Sequence, residues 1–365
     1  MKIIILVIKK DIMSKKRIRW IDNARAVAMF LVFFGHLGDS WFPALKPIHD
    51  AIYTFHMPLF FVLSGLFFKP AIEFVSLLAK RAKTLLIPYY FFSVLALITP
   101  AVKLLKPSLY TSAGKTADAN PLQTIVSIIL AQGNAGLWFL WSLFTASLAL
   151  WITIKITRDN VFALSLTLTM YVVIGFVLKS IPSAAQLPFQ IGKLSESTAY
   201  VGLGYLLAKL CNAYSWDHAK KVSKLLLAAA SFVVFLLFFE ISTNISMPNV
   251  LIQCFLSFLT TIAGITSAIC FSLLIPNVRV ISVIGKDSLI FYALNDVSLK
   301  LTKFLFFSIL RFPVRTANLF TELILGVVTV AVAMVISYIC NAFIQRHMRW
   351  CIGDLSALSI HRKGK

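Results

Sequence analysis

Two ionisable residues interrupt an apolar stretch near the amino terminus, ARAVAMFLVFFGH, which covers residues 24–36. Arg25 and His36 are eleven positions apart, and eleven helical steps make about three turns with a rise of about 16 Å, so both side chains share one helix face. Such a histidine is either a hydrogen-bonded structural residue or a catalytic base, and the arginine either reaches lipid phosphates or holds an anion. The shared face favours a path with Arg25 at its mouth and His36 at its end.

A second polar group of residues lies in the next apolar stretch, FHMPLFFVLSG, at residues 55–65. Pro58 lacks an N–H and frees one backbone carbonyl within a helix, and the pair Ser64 and Gly65 allows another backbone or a ligand to come close. Small residues of this kind serve helix packing more often than binding. His56 and Ser64 are nevertheless candidates for contact with a substrate.

Three basic residues follow directly, in the stretch KRAKTLLIPYY. Lys80, Arg81 and Lys83 either bind phosphate groups or mark the cytoplasmic side of the membrane, and the second role is the more common one for such a cluster.

Three later polar or aromatic residues stand in apolar segments. Trp138 either belongs to an aromatic belt at the membrane surface, which is the more common role, or stacks on a sugar. Asn295 and Asp296 are costly within a span, so they either line a cavity for an acceptor substrate, or Asp296 pairs only with Lys300 one turn later.

Composition identifies the elements that must position these residues. Of 365 residues, 59% are hydrophobic and only 13% are charged, which is typical of an integral membrane protein rather than a soluble one. Apolar stretches recur along almost the whole chain, which predicts an all-α polytopic helical bundle without a separate soluble domain. The five cysteines form no CxxC or Cys/His cluster, so no metal site and no disulfide framework is expected.

Hydropathy, punctuated by Pro, Gly and charge, predicts about ten spans. They lie near residues 21–40, 50–68, 84–104, 135–155, 160–178, 197–211, 222–241, 249–275, 288–310 and 318–344, with 122–131 as an interfacial or re-entrant helix.

The basic residues orient this bundle. With both termini in the cytoplasm, 25 of the 35 Lys and Arg residues fall on the inner side. The net charge of +21 is then explained by topology and contact with anionic membrane lipid, and nucleic acid binding is not expected. The opening MKIIILVIKK is too short to span and has no small-residue cleavage site, so no signal peptide is expected. The predicted organisation is a basic cytoplasmic segment (1–20), a membrane domain (21–344) and a basic cytoplasmic tail (345–365).

Four stretches together resemble the acyltransferase 3 family of membrane acyltransferases, especially the branch related to fucose 4-O-acetylase. They read IDNARAVAMFLVFFGH, FHMPLFFVLSGLFF, KRAKTLLIPYYFF and LWFLWSLF, and the similarity covers most of the chain. The sharpest element is an arginine, ten intervening residues and a histidine, which Arg25 and His36 reproduce.

The resemblance implies an enzyme of the bacterial inner membrane that moves an acyl group, usually acetyl, from cytoplasmic acyl-CoA to a hydroxyl of a cell-surface or lipid-linked carbohydrate. No permanently bound cofactor is implied. His36 would be the catalytic histidine, acting as a base or as a transient acyl carrier, and Arg25 would position it or bind CoA. Lys80, Arg81 and Lys83 would contact the CoA phosphates.

The sequence departs from the family pattern at two places. The RxxR motif after the second span is absent, because Thr84 stands three residues after Arg81 and the equivalent spacing is Lys80 with Lys83. Asn295 occupies the place of a family histidine.

Two other classes of protein are alternatives to the enzyme. A transporter or exporter of a polysaccharide or lipid-linked sugar would also use many spans and intramembrane charges, but no internal repeat is apparent. A structural assembly subunit with a decayed site is disfavoured by the retained Arg25 and His36.

Overall fold

A computed structural model describes residues 18–97, 121–132, 136–211, 216, 221–244, 250–276, 278–312 and 318–355, and these residues form helices and no β-strand. The α-helices in this part are α1 (Arg19–Gly35), α2 (Lys46–Tyr53), α3 (His56–Gly65), α4 (Phe74–Arg81), α5 (Ile87–Ser93), α6 (Pro121–Ile129), α7 (Trp138–Ile156), α8 (Val161–Lys179), α9 (Leu194–Leu210), α10 (Lys221–Asn244), α11 (Val250–Ser272), α12 (Arg279–Lys286), α13 (Ser288–Lys303) and α14 (Leu319–His347). Most of the predicted terminal segments, 1–20 and 345–365, and the end of the span at 84–104 lie outside the described residues.

Within the described residues, five helices are long and apolar enough to cross a membrane. They are α7, α8, α10, α14 and residues Ile252–Ser272 of α11. Each lies where the sequence predicts a span, so the all-helical membrane architecture is confirmed in its coarse form.

The remaining predicted spans are helical but shorter or interrupted. Span 21–40 is the 17-residue α1, and span 50–68 is divided between α2 and the ten-residue α3. Span 288–310 continues α13 into a π-helical turn at Phe304–Ile309. Segment 122–131 corresponds to the nine-residue α6, whose length of about 14 Å cannot cross a hydrocarbon core of about 30 Å. The ten-span layout and the side of each terminus stay predictions.

Helix α1 lies at the centre of the bundle. It packs against α2, α3, α11, α12, α13 and α14. Trp20, Val32 and Phe33 are fully buried, as expected for a helix that is apolar around its whole circumference. The predicted path from Arg25 to His36 therefore follows an enclosed helix.

Glycines bring α3 and α9 into direct backbone contact. A Cβ added to Gly65 would lie 2.0 Å from the Val201 carbonyl oxygen, and one added to Gly204 would lie 2.0 Å from the Val62 oxygen. Since no side chain fits there, the close backbone approach expected at Gly65 is confirmed.

The carbonyl that Pro58 leaves without a helical donor has a partner on another helix. Pro58 lies four residues after Thr54, whose carbonyl oxygen accepts a hydrogen bond from Thr261 Oγ1 on α11 at 3.0 Å. This bond ties the start of α3 to α11 and fixes the segment that leads into His56.

Candidate active site

His36 stands directly after the last residue of α1, with its side chain exposed. Its Nδ1 lies 2.7 Å from the Val32 carbonyl oxygen. Because a carbonyl only accepts, Nδ1 carries the proton in the neutral ring and Nε2 carries the lone pair. The backbone thus holds the imidazole in the tautomer that a general base needs.

A second histidine and a tyrosine lie beside it. The rings of His36 and His56 are 6.2 Å apart between centroids, and the Tyr53 ring contacts both, at 5.7 and 5.2 Å. His56 is buried and its Nδ1 bonds the Ile52 carbonyl oxygen at 2.9 Å, while the Tyr53 hydroxyl donates to the Gly35 oxygen at 3.0 Å. The end of α1 is therefore clamped against α2 and α3.

These rings face a cavity of about 650 Å³. Its wall comes from the end of α1, from α2 and α3, from the start of α7, from α13, and from the segment between α8 and α9. Its lining includes five residues singled out in the sequence: His36, His56, Trp138, Asn295 and Asp296. A volume of this size accommodates a small-molecule substrate.

Asn295 and Asp296 both line the cavity. Asp296 also pairs with Lys300 at 2.6 Å, one turn along α13, so its role is not limited to that pair, and contact with an acceptor substrate stays a prediction. The Oδ1 atom of Asn295 is buried and has no hydrogen-bond partner among the described residues. A buried amide oxygen without a donor is costly, and a turn of the amide toward the cavity would let a ligand hydroxyl satisfy it.

Sequence reasoning missed several residues of the cavity wall. Lys179 pairs with Glu196 at 2.6 Å, and Lys193 places its Nζ 3.6 Å from the centre of the Trp138 ring. Burial lowers the pKa of Lys193 to about 8. Tyr292, one turn before Asp296, donates its hydroxyl to the Gly136 carbonyl. Tyr292 lies on the same helix as Asn295 and Asp296, Lys179 ends α8, and Glu196 lies in the first turn of α9. Lys193 lies in the segment between α8 and α9, which has no periodicity that marks it.

The other candidate residues lie elsewhere. Ser64 Oγ donates to the Phe60 carbonyl at 2.8 Å, within its own helix, and is not part of the cavity wall. Arg25 lies over the ring of Phe67 at 5.3 Å, just after α3 ends, whereas His36 contacts His56, where α3 begins. Arg25 and His36 thus approach opposite ends of the same neighbouring helix, as two side chains on one face of α1 would.

The basic cluster Lys80, Arg81 and Lys83 is also outside the cavity wall. Lys80 and Arg81 end α4, and Lys83 lies in a π-helical turn at Ala82–Leu86, a local departure from α-geometry that is frequent at functional sites. Lys80 and Lys83 are exposed, while burial lowers the pKa of Arg81. No group of three His, Cys, Asp or Glu residues that could hold a metal ion occurs in the ranges the structure describes.

Comparison with known proteins identifies the family. The model of the acyltransferase 3 family, described as an acyltransferase domain, matches residues 18–340. The chain is 25% identical over 232 residues to the nodulation protein NolL of Mesorhizobium japonicum, and the match covers 59% of this chain and 55% of that protein. No solved structure matches the chain. The chain belongs to the acyltransferase 3 family, and it spans about half the length of the curated relative that it matches.

Proposed function

We propose that this protein is an O-acyltransferase of the bacterial inner membrane that moves an acyl group, in the first place acetyl, from cytoplasmic acyl-CoA to a hydroxyl of a cell-surface or lipid-linked carbohydrate. The observation that carries the proposal is the Nε2 lone pair of His36, which the Val32 bond leaves available beside a cavity for a small molecule. The carbohydrate is supported by the resemblance to the fucose 4-O-acetylase branch and by Trp138 and Asn295 in the cavity wall.

In the proposed reaction the sugar hydroxyl attacks the thioester directly. Nε2 of His36 takes the hydroxyl proton while the oxygen forms a bond to the carbonyl carbon. The C–S bond then breaks, and the proton passes from His36 to the departing thiolate, which leaves an ester and free CoA thiol. The Nδ1 bond to Val32 holds the ring in one tautomer throughout.

The donor is proposed to enter from the other end of α1. Arg25 and the basic cluster of Arg81 with the exposed Lys80 and Lys83, which follows α3 in the chain, are proposed to supply positive charge for the CoA phosphates. Eleven residues of helix correspond to about 16 Å, so a donor anchored at Arg25 must extend its thioester along α1 to reach His36.

The test is acyl transfer in membranes. Membranes with wild type or His36→Ala receive radiolabelled acetyl-CoA and an extract of host envelope glycans, and label in base-labile esters is counted. We expect His36→Ala to lower transfer by about 10²–10⁴-fold, the usual contribution of a general base. His347→Ala changes an exposed histidine at the end of α14 and should behave as wild type.

Three outcomes count against the proposal. Wild-type label in His36→Ala membranes excludes His36 as the base. Label trapped on His36 itself indicates an acyl carrier rather than a base. No label with folded wild type excludes acetyl transfer from acetyl-CoA, and if the purified protein also fails to bind acetyl-CoA, the transporter becomes the better explanation.

A further inference from the structure

Lys193 is a cation in the cavity that the proposed reaction does not use. Its ammonium lies 3.6 Å from the centre of the Trp138 ring, and the side chain is half-buried beside the space in front of His36. An aromatic face holds a cation in place but leaves its charge uncompensated.

The carboxylates of the cavity wall are already paired with other lysines. Glu196 pairs with Lys179 and Asp296 pairs with Lys300, each at 2.6 Å. Lys193 forms no ion pair with a carboxylate in the part of the chain that the structure describes. The charged side chains of the wall therefore leave one excess positive charge, on Lys193, when the histidines are neutral.

The backbone that carries Lys193 is held in a costly conformation. Phe189 and Gln190 have φ values of +55° and +57°, and left-handed geometry is unfavourable for a residue other than glycine. The Phe189 N–H donates to the Leu130 oxygen at 2.7 Å, and Gln190 Nε2 donates to the Ala131 oxygen at 2.6 Å. Strained backbone held by specific bonds is typical of functional sites. This segment delivers Lys193 to Trp138.

The amide side chain of Asn295 lines the same cavity as the cation. Its Oδ1 is buried and lacks a donor among the described residues, and a sugar hydroxyl would satisfy it once the amide turns toward the cavity. The cavity thus offers a base, an amide and an ammonium group to one small molecule.

We propose that the acceptor is an anionic saccharide, whose carboxylate or phosphate group pairs with Lys193 while one of its hydroxyls lies at His36. The proposal rests on the proposed function and specifies its substrate class. A charge-assisted pair of this kind adds affinity that a neutral sugar cannot gain, because its hydroxyls pair with the ammonium only weakly.

Three matched acceptors test the proposal: methyl glucoside, methyl glucuronide and glucose 1-phosphate. Transfer of radiolabelled acetyl from acetyl-CoA is measured for each as kcat/KM. We expect an anionic acceptor to be favoured over the glucoside by about tenfold, since a bond to a charged group is worth that much. Preference for the glucuronide indicates a carboxylate on the sugar, and preference for glucose 1-phosphate indicates the phosphate of a lipid-linked sugar.

Variants of Lys193 separate recognition from structure. Lys193→Gln should lower kcat/KM for the favoured anionic acceptor by about tenfold and leave the glucoside unchanged. Lys193→Arg keeps the charge and should keep the preference. Equal use of all three acceptors by wild type, or an unchanged preference in Lys193→Gln, would overturn the proposal.

A binding experiment tests the anion site independently of acyl transfer. His36→Ala protein in detergent is titrated with each acceptor, and binding is followed by tryptophan fluorescence, with Lys193→Gln added to the same background. If the anionic acceptor binds only when Lys193 is present, but wild type transfers no acetyl group, the anion site is supported and the proposed acyl transfer is contradicted. If the anionic acceptor does not bind, or binds equally well without Lys193, and no acetyl group is transferred, the anion site and the proposed acyl transfer are both overturned.

Discussion

The two ends of α1 hold their charges in different ways. At the His36 end, lysines and carboxylates line the cavity, and the pairs Lys179 with Glu196 and Lys300 with Asp296 have fixed partners. Arg25 lies over the ring of Phe67 just after α3, and the chain then continues to the exposed Lys80 and Lys83. Charges with fixed partners favour discrimination between small molecules, whereas exposed flexible ones suit a large ligand with several phosphates or an anionic lipid surface. On the proposed function, the acceptor binds at the His36 end and the donor at the Arg25 end.

The largest expected difference between the two ends of α1 is in the KM values of the two substrates. Changing Lys80, Arg81 and Lys83 together to Gln should raise the KM for acyl-CoA by about a hundredfold, the equivalent of about 2.7 kcal/mol of lost phosphate contacts, and leave acceptor KM unchanged. Both constants are measured by initial-rate kinetics in membranes.

A charge-preserving variant is the control for that experiment. Lys80→Arg combined with Lys83→Arg keeps the positive charge of the cluster and should keep the KM for acyl-CoA. Reporter fusions record the orientation of each variant. If the Gln variant is inverted in the membrane, the basic cluster determines the topology of the protein, and the proposal that it binds the acyl-CoA donor is contradicted.

A smaller effect is expected on stability when the contact of α3 with α9 is changed, since α3 lies beside both ends of α1. Gly65→Ala places a methyl group against the Val201 carbonyl and should force α3 away from α9, because neither backbone can yield. We expect a loss of about 1–3 kcal/mol in stability and reduced turnover, measured by thermal unfolding and by kcat. The neighbouring Ser64→Ala removes only a bond to Phe60 and should behave as wild type. Equal stability of the two variants would contradict the α3–α9 contact.

The smallest effect is a pH dependence confined to the cavity end. Burial lowers the pKa of Lys193 to about 8, so its charge is present below that pH and is lost above it. The kcat/KM ratio of the anionic to the neutral acceptor should therefore fall a fewfold between pH 7 and about 9. Titration of His36 changes kcat/KM for both acceptors by the same factor, so its effect cancels in their ratio. The other ionisable groups that line this cavity are His56, Lys179, Glu196, Asp296, Lys300 and the tyrosines Tyr53, Tyr200 and Tyr292.

Arginine at position 193 provides the comparison for that profile. Arginine stays charged throughout this range, so Lys193→Arg should give a flat ratio. A wild-type ratio that stays constant up to pH 9 would show that Lys193 does not sense the charge of the acceptor.

Residues on regular helices were the predictable part of the site. The helical repeat placed Arg25 and His36 on one face, the missing N–H of Pro58 marked a carbonyl that Thr261 satisfies, and Gly65 marked a backbone contact. Polar residues in apolar segments, such as Asn295, stood out because burying them is costly, and Asn295 does line the cavity.

Other features follow from tertiary structure that no local pattern records. Lys193 and Glu196 reach the cavity through a turn with left-handed residues at Phe189 and Gln190, which sequence alone does not mark. The division of span 50–68 into α2 and α3 falls at Thr54 and Phe55, which hydropathy averaged over a window cannot show. The polar Ser64 in an apolar stretch is a candidate for contact with a substrate from the sequence, but its hydroxyl donates a hydrogen bond to a carbonyl within α3.

The fixed length of α1 has a consequence for the donor. A buried helix neither stretches nor shortens, so the roughly 16 Å between Arg25 and His36 acts as a ruler. On the proposed function, a donor is selected first by the distance between its phosphates and its thioester, and only then by the structure of its acyl group. The geometry of the scaffold would then exclude short thioesters from the cell's metabolite pool without any residue dedicated to rejecting them.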